Sequence, residues 1–117
     1  MSAPRSRLAD RGALRARAPV FAALGDETRL ALIAELSGGA PRSIAQLTEG
    51  THLTRQAVTK HLRVLEDAGL VRSARSGRES RFGLEPRPLD EARRFLEQVS
   101  AQWDQALARL KAFVEDA

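Results

Sequence analysis

The sequence predicts a mainly α-helical domain with one small β-hairpin, in the order α-α-α-α-β-β-α. Three observations carry this. Apolar residues recur at helical spacing in several segments that open on a capping residue or close on glycine. A single stretch, 70–84, instead alternates apolar and polar residues on either side of a Ser76-Gly77 turn signal. The chain has 117 residues, enough for one core but not two, so the elements must share that core or pack on a partner subunit.

Residues 1–12 are polar and Arg-rich, punctuated by Pro4 and Gly12, and are expected to form a flexible basic arm, either simply solvated or serving as a backbone-contacting tail. Everything from 13 to 117 is assigned to one domain. Residues 13–24 carry Leu14, Val20, Phe21 and Leu24 in a helix expected to break or restart at Pro19. Asp26 is placed to cap the next helix, which puts Leu30, Ile33, Ala34 and Leu36 on one face and stops at Gly38-Gly39. Ser43 followed by Gln46 fits a capping box for a short helix through Ile44 and Leu47 that ends at Gly50. After a tight turn, Thr54 caps a further helix running to Ala68, with Leu53 set to staple against Val58 and Gly69 as the exit. Leu70, Val71, Phe82 and Leu84 flank the Ser76-Gly77 turn. Finally, Asp90 offers a cap for a terminal helix, assigned to 89–114, that carries Leu96, Val99, Trp103, Leu107, Leu110 and Val114 on one stripe, with Phe95, Ala106 and Phe113 along its edge.

A short helix, a tight turn, a second helix and a basic hairpin make a winged helix-turn-helix, in which the second helix enters a DNA major groove and the hairpin lies along an adjoining backbone. In the second helix, Val58, Leu62 and Leu65 fall on one side, while Gln56, Thr59, Lys60 and Arg63 fall on the other. Gln suits adenine, Arg and Lys suit guanine, and Thr can touch a thymine methyl or a phosphate. Thr54 and Arg55 at the entrance of the helix join this DNA-contacting set. In the hairpin, Arg72, Arg75, Arg78 and Arg81 bracket the turn, and four guanidiniums on two short strands call for a counter-anion such as phosphate. Charge is distributed accordingly. Net charge is +4, and residues 51–81 alone hold seven basic against three acidic groups.

On these residues the chain resembles the ArsR-type (ArsR/SmtB-like) family of winged helix-turn-helix repressors, across about residues 20–114. The carrying segments are FAALGDETRLALIAEL (21–36), LTRQAVTKHLRVLEDAGLV (53–71) and SGRESRFGL (76–84). The resemblance implies a homodimer that reads a partly palindromic operator near its target promoter and blocks polymerase. It maps base reading onto Gln56, Thr59, Lys60 and Arg63, and the wing onto residues 72–81. Metal-sensing members carry a cysteine pair in the first helix of the motif, where this chain has Ser43 and Ala45. Residues 86–117 hold no histidine, and His52 and His61 are the only two in the chain, His61 being read as a packing or phosphate-contacting residue. The metal-independent subgroup is therefore expected, with no cofactor, and the segment QWDQALARLKAFVED (102–116) resembles members that lack metal ligands.

A helix over residues 90–114 would span about 37 Å, longer than a small domain needs for its own core. Leu14 and Phe21 near one terminus, with Leu96, Val99, Trp103, Leu107, Leu110 and Val114 near the other, are accordingly assigned to a two-fold interface. Other functions find less support. The chain has no Cys and no Tyr, and no glycine-rich phosphate loop or carboxylate pair stands out, so an enzyme is not expected. A winged-helix module that binds protein is the alternative; it calls for apolar residues at 56, 60 and 63, where Gln, Lys and Arg stand. No apolar run reaches the roughly 18 residues that span a bilayer, and the start lacks the apolar stretch of a secretory signal. The expected setting is cytoplasmic and nucleoid-associated, with double-stranded DNA, a second copy and an unidentified small-molecule effector as partners.

Overall fold

In the computed structural model, which describes residues 10–116, the chain forms α1 (Arg11–Leu24), α2 (Glu27–Leu36), β1 (Arg42–Ser43), α3 (Ile44–Thr48), α4 (Arg55–Asp67), β2 (Val71–Ser76), β3 (Glu79–Leu84) and α5 (Pro86–Glu115). Most of the basic arm lies outside the described residues. Its last part does not match expectation: Arg11 and Gly12 are already helical, because the Asp10 carboxylate accepts from the Gly12 and Ala13 amides at 2.9 and 3.3 Å. Nor does Pro19 break α1. Proline forfeits one hydrogen bond, to the Arg15 carbonyl, where both residues are exposed, while Val20 and Ala23 beside it are buried in the core and hold the helix in place.

The later helices follow their caps. Asp26 Oδ2 accepts from the Arg29 amide at 3.0 Å. In α2 the buried residues are Leu32 and Leu36, one turn apart, whereas Leu30 is 52% exposed. The expected apolar face is thus corrected: Leu30 lies two positions, about 200° of rotation, away from Leu32. The capping box of α3 is complete, with Ser43 Oγ accepting from the Gln46 amide at 3.2 Å and Gln46 Oε1 from the Ser43 amide at 2.9 Å. Replacing Ser43 by Ala should cost about 1 kcal/mol, read as a lower denaturant midpoint at unchanged slope.

A third strand, β1, joins the hairpin in the antiparallel order β1-β3-β2, with Arg42 opposite Phe82 and Ser43 opposite Arg81. Two residues show no alternation, so sequence pattern is blind to it. The hairpin turns at Gly77-Arg78, where Gly77 takes φ +65° at the first of two turn positions. Leu36, Leu47, Val58, Leu62, Leu65 and Leu70 form the centre of the core, and Val71 and Phe82 close it from the sheet.

Helix α5 begins at Pro86, four residues before the expected Asp90 cap. Pro86 and Pro88 both fall in the first turn, where no helical hydrogen bond needs their missing N–H. Asp90 instead takes ion pairs from Arg93 at 2.6 Å and Arg94 at 3.0 Å, and the hydrogen bond from Arg93 holds its carboxyl below the usual range. Thirty residues of helix span about 45 Å. Beyond Leu96 nearly every side chain is exposed, and the radius of gyration is 19.2 Å, against about 13 Å for a compact chain of this length. The outer half of α5 therefore projects from the body that the other elements build.

Candidate nucleic-acid interface

Local chemistry fixes the angle between α3 and α4. Gly50 supplies the left-handed exit from α3, at φ +77°. Thr51 Oγ1 donates to the Thr48 carbonyl at 2.7 Å and accepts from the Leu53 amide at 3.2 Å, so the turn is fastened to the helix it leaves. Thr54 Oγ1 then accepts from the Ala57 amide at 3.1 Å to start α4. Val58, Leu62 and Leu65 on the inner face are fully buried, which leaves α4 no freedom to roll.

The outer face is correspondingly presented. Arg55, Gln56, Thr59, Lys60 and Arg63 line a shallow groove of about 560 Å³, with Ile44 of α3 as its apolar wall. Five of the six residues assigned from sequence to this helix thus converge on one concavity. The sixth, Thr54, spends its oxygen on the cap, and the Thr59 hydroxyl donates to the Arg55 carbonyl at 2.7 Å, which leaves the Thr59 methyl as its apolar offering to the groove. No carboxylate lines this groove.

The hairpin arginines divide. Cross-strand register sets Arg72 opposite Gly83 and Arg81 opposite Ala74 on one face, and Arg75 opposite Ser80 on the other, with Arg78 in the turn. Arg72 is paired to Glu85 at 2.9 Å and Arg81 to Glu79 at 3.6 Å. Two of the four cations are thus already compensated within the chain, which corrects the expectation that the set calls for an external anion. Among the described residues, Arg75 and Arg78 have no acidic partner, and both are exposed. Glu66 of α4 accepts from Ser73 Oγ at 2.8 Å and ties the hairpin to that helix. A contact between partners seven residues apart across a turn leaves no periodic signal.

Known proteins share this fold. Residues 24–74 match a family model described as a helix-turn-helix domain. The HTH-type transcriptional regulator Rv2034 of Mycobacterium tuberculosis is 34% identical over 73% of this chain and 76% of its own length. The structure of an ArsR-like transcriptional regulator from Rhodococcus sp. RHA1 superposes with a TM-score of 0.72 at 41% identity, covering 87% of this chain and 95% of that one. The chain belongs to the ArsR family of winged helix-turn-helix transcriptional regulators. Another solved relative of this regulator, a homodimeric winged helix-turn-helix DNA-binding domain from Mycobacterium bovis, is 28% identical with a TM-score of 0.62, over 87% of this chain and 91% of that one.

Two further assignments of the ArsR-family reading can be located. Ser43, at one of the positions matched to the sensor cysteines, is buried and engaged in the capping box, and Ala45 follows within α3. Of the residues assigned to an interface, Phe21 spends part of its surface inside its own chain, its ring tilted against that of Phe95 with centroids 5.7 Å apart, and Arg17 sits over the Phe95 ring at 5.6 Å. Leu14 is half-buried. Leu96, Val99, Trp103, Leu107, Leu110 and Val114 are all exposed on α5, as is Phe113, which sequence placed only at the edge of the stripe. No helix among the described residues is long and apolar enough to cross a membrane.

Proposed function

We propose that this ArsR-family regulator is a homodimeric, metal-independent repressor in which each protomer sets α4 into a major groove of a two-fold operator and lays the β2–β3 hairpin along the adjoining backbone. The observation that carries the reading is the groove of Arg55, Gln56, Thr59, Lys60 and Arg63: it holds donors suited to base edges and is backed by a helix face locked into the core. Its Gln, Lys and Arg separate it from a protein-docking version of the fold. The homodimeric relative and the exposed apolar stripe of α5 support pairing of two copies. With no cysteine in the chain, a releasing effector would be something other than a thiolate-held metal. Such a regulator works in the cytoplasm on the nucleoid.

The test is selection of duplexes from a random library followed by fluorescence anisotropy at graded salt. Binding should weaken linearly on a log–log scale, by about 0.9 per phosphate neutralised. Arg63→Ala should reduce discrimination between selected and scrambled duplexes by about tenfold. Arg78→Ala should weaken both alike and lower the salt slope by about one per protomer. If both variants bind like the parent, the assignment of reading helix and wing fails.

A further inference from the structure

On the flank of α4, between buried Leu62 and outward Lys60, stands His61. Its Nδ1 lies 3.3 Å from Nη1 of Arg29, in α2, and 3.8 Å from Oδ2 of Asp26, the N-cap of that helix. The same guanidinium also reaches α1: Nε donates to the Ala23 carbonyl at 2.5 Å and Nη2 to the Ala22 carbonyl at 3.5 Å. These carbonyls belong to the last turn of α1, whose dipole favours a cation. Asp26 holds the backbone of Arg29, and that hydrogen bond, together with the nearby charge of Arg29, keeps its carboxyl below the usual range. One side chain of α2 thus joins the end of α1 to the reading helix. A guanidinium offers only donors, so an Arg N–H aimed at Nδ1 requires a lone pair there, and His61 in this geometry is neutral with its proton on Nε2.

We propose that Arg29 and His61 are positioning residues for DNA reading: Arg29, anchored on the α1 carbonyls, sets the seat of α4 through the Nδ1 lone pair of neutral His61, and protonation of that ring releases it. The inference rests on α4 being the reading helix. The charged groups facing His61 are Asp26 at the N-cap of α2 and Arg29 within it; α1 contributes the Ala22 and Ala23 carbonyls, and α3 and β2, which also pack on α4, bring no ionic partner to it among the described residues. Once protonated, Nδ1 becomes a donor facing donors. The ring then turns from Arg29 towards Asp26, and α4 loses its hydrogen-bonded link, through Arg29, to the α1 carbonyls.

The test uses the full chain, a duplex selected by the wild-type protein and a scrambled duplex, with the ratio of the two affinities read from about pH 5.5 to 8. A ratio removes the general gain in affinity that any added positive charge brings. The wild-type ratio should fall about tenfold on acidification, the loss of one charge-assisted hydrogen bond. His61→Asn sets a carbonyl oxygen at the position of Nδ1 that accepts but does not titrate; it should keep the wild-type ratio at pH 8 and hold it into acid. His61→Leu, without an acceptor, should show the acid ratio already at pH 8. His52 is present in every variant, so whatever it contributes is common to all of them. The relay is overturned if His61→Leu keeps the full ratio, or if His61→Asn loses it with acid as the parent does. Should His61→Leu melt below the assay temperature, the pH profile of His61→Asn decides alone. A wild-type protein that fails to distinguish the two duplexes at pH 8 removes the reading helix itself, and the relay with it.

Discussion

Replacing Trp103 by Glu is expected to leave the protein monomeric at micromolar concentration by sedimentation equilibrium, with a dimer constant weakened by at least about 1,000-fold. Trp103 is 64% exposed in the middle of the α5 stripe, and the side chains around it, Val99, Gln102, Gln105, Ala106 and Arg109, belong to α5 itself. It supports nothing in its own body, so the variant should keep its helical circular dichroism and its melting profile at low concentration. Across a two-fold interface the substitution appears twice, and each copy strands a carboxylate in apolar surroundings. Operator binding should fall with the dimer, because half-sites read separately lose the gain of linked binding. A dimer of unchanged strength would place the interface away from the outer half of α5.

What the sequence made legible follows from the range of the interactions involved. The Ser43–Gln46 box, the Thr54 cap, the Gly69 exit and the two faces of α4 each depend on residues within four positions of one another, and each is found as read. The groove residues were legible for the same reason: a helix with Val58, Leu62 and Leu65 inside has no choice about where Gln56, Lys60 and Arg63 go. Where reading failed, a longer-range effect intervened. Leu30 fits a helical stripe as well as Leu32 does, and only the position of α4 and the sheet selects between them. Pro19 reads as a break until the burial of Val20 and Ala23 is known. The Arg81–Glu79 pair, two positions apart on one strand face, lay within reach of the sequence and was overlooked; the pairing of Arg72 with Glu85 and the reach of Arg29 to His61, 32 positions away, join residues far apart in the chain. No periodicity encodes such contacts.

Leu62→Ala should destabilise the protein by about 2–5 kcal/mol and lower its melting temperature on the order of 10–20 °C. Leu62 has no exposed surface and lies between Val58 and Leu65 in the row that seats α4 on the rest of the core. Removing its branched end leaves a void that neighbours already tight on every side fill only in part, so the cost exceeds the loss of transfer free energy alone. Against the 5–15 kcal/mol that typically holds a domain together, the loss is large enough to be read directly by thermal unfolding. Operator binding offers the complementary readout. Well below the new melting temperature, Leu62→Ala keeps Gln56, Lys60 and Arg63 in place, so its specificity should decline only as α4 loosens. Arg63→Ala, one position further along the same helix, should melt like the parent and discriminate poorly. Opposite responses from adjacent residues are what a helix with one face committed to the core and the other to a ligand requires, and a pair of variants that changed stability and specificity in parallel would contradict that division of α4.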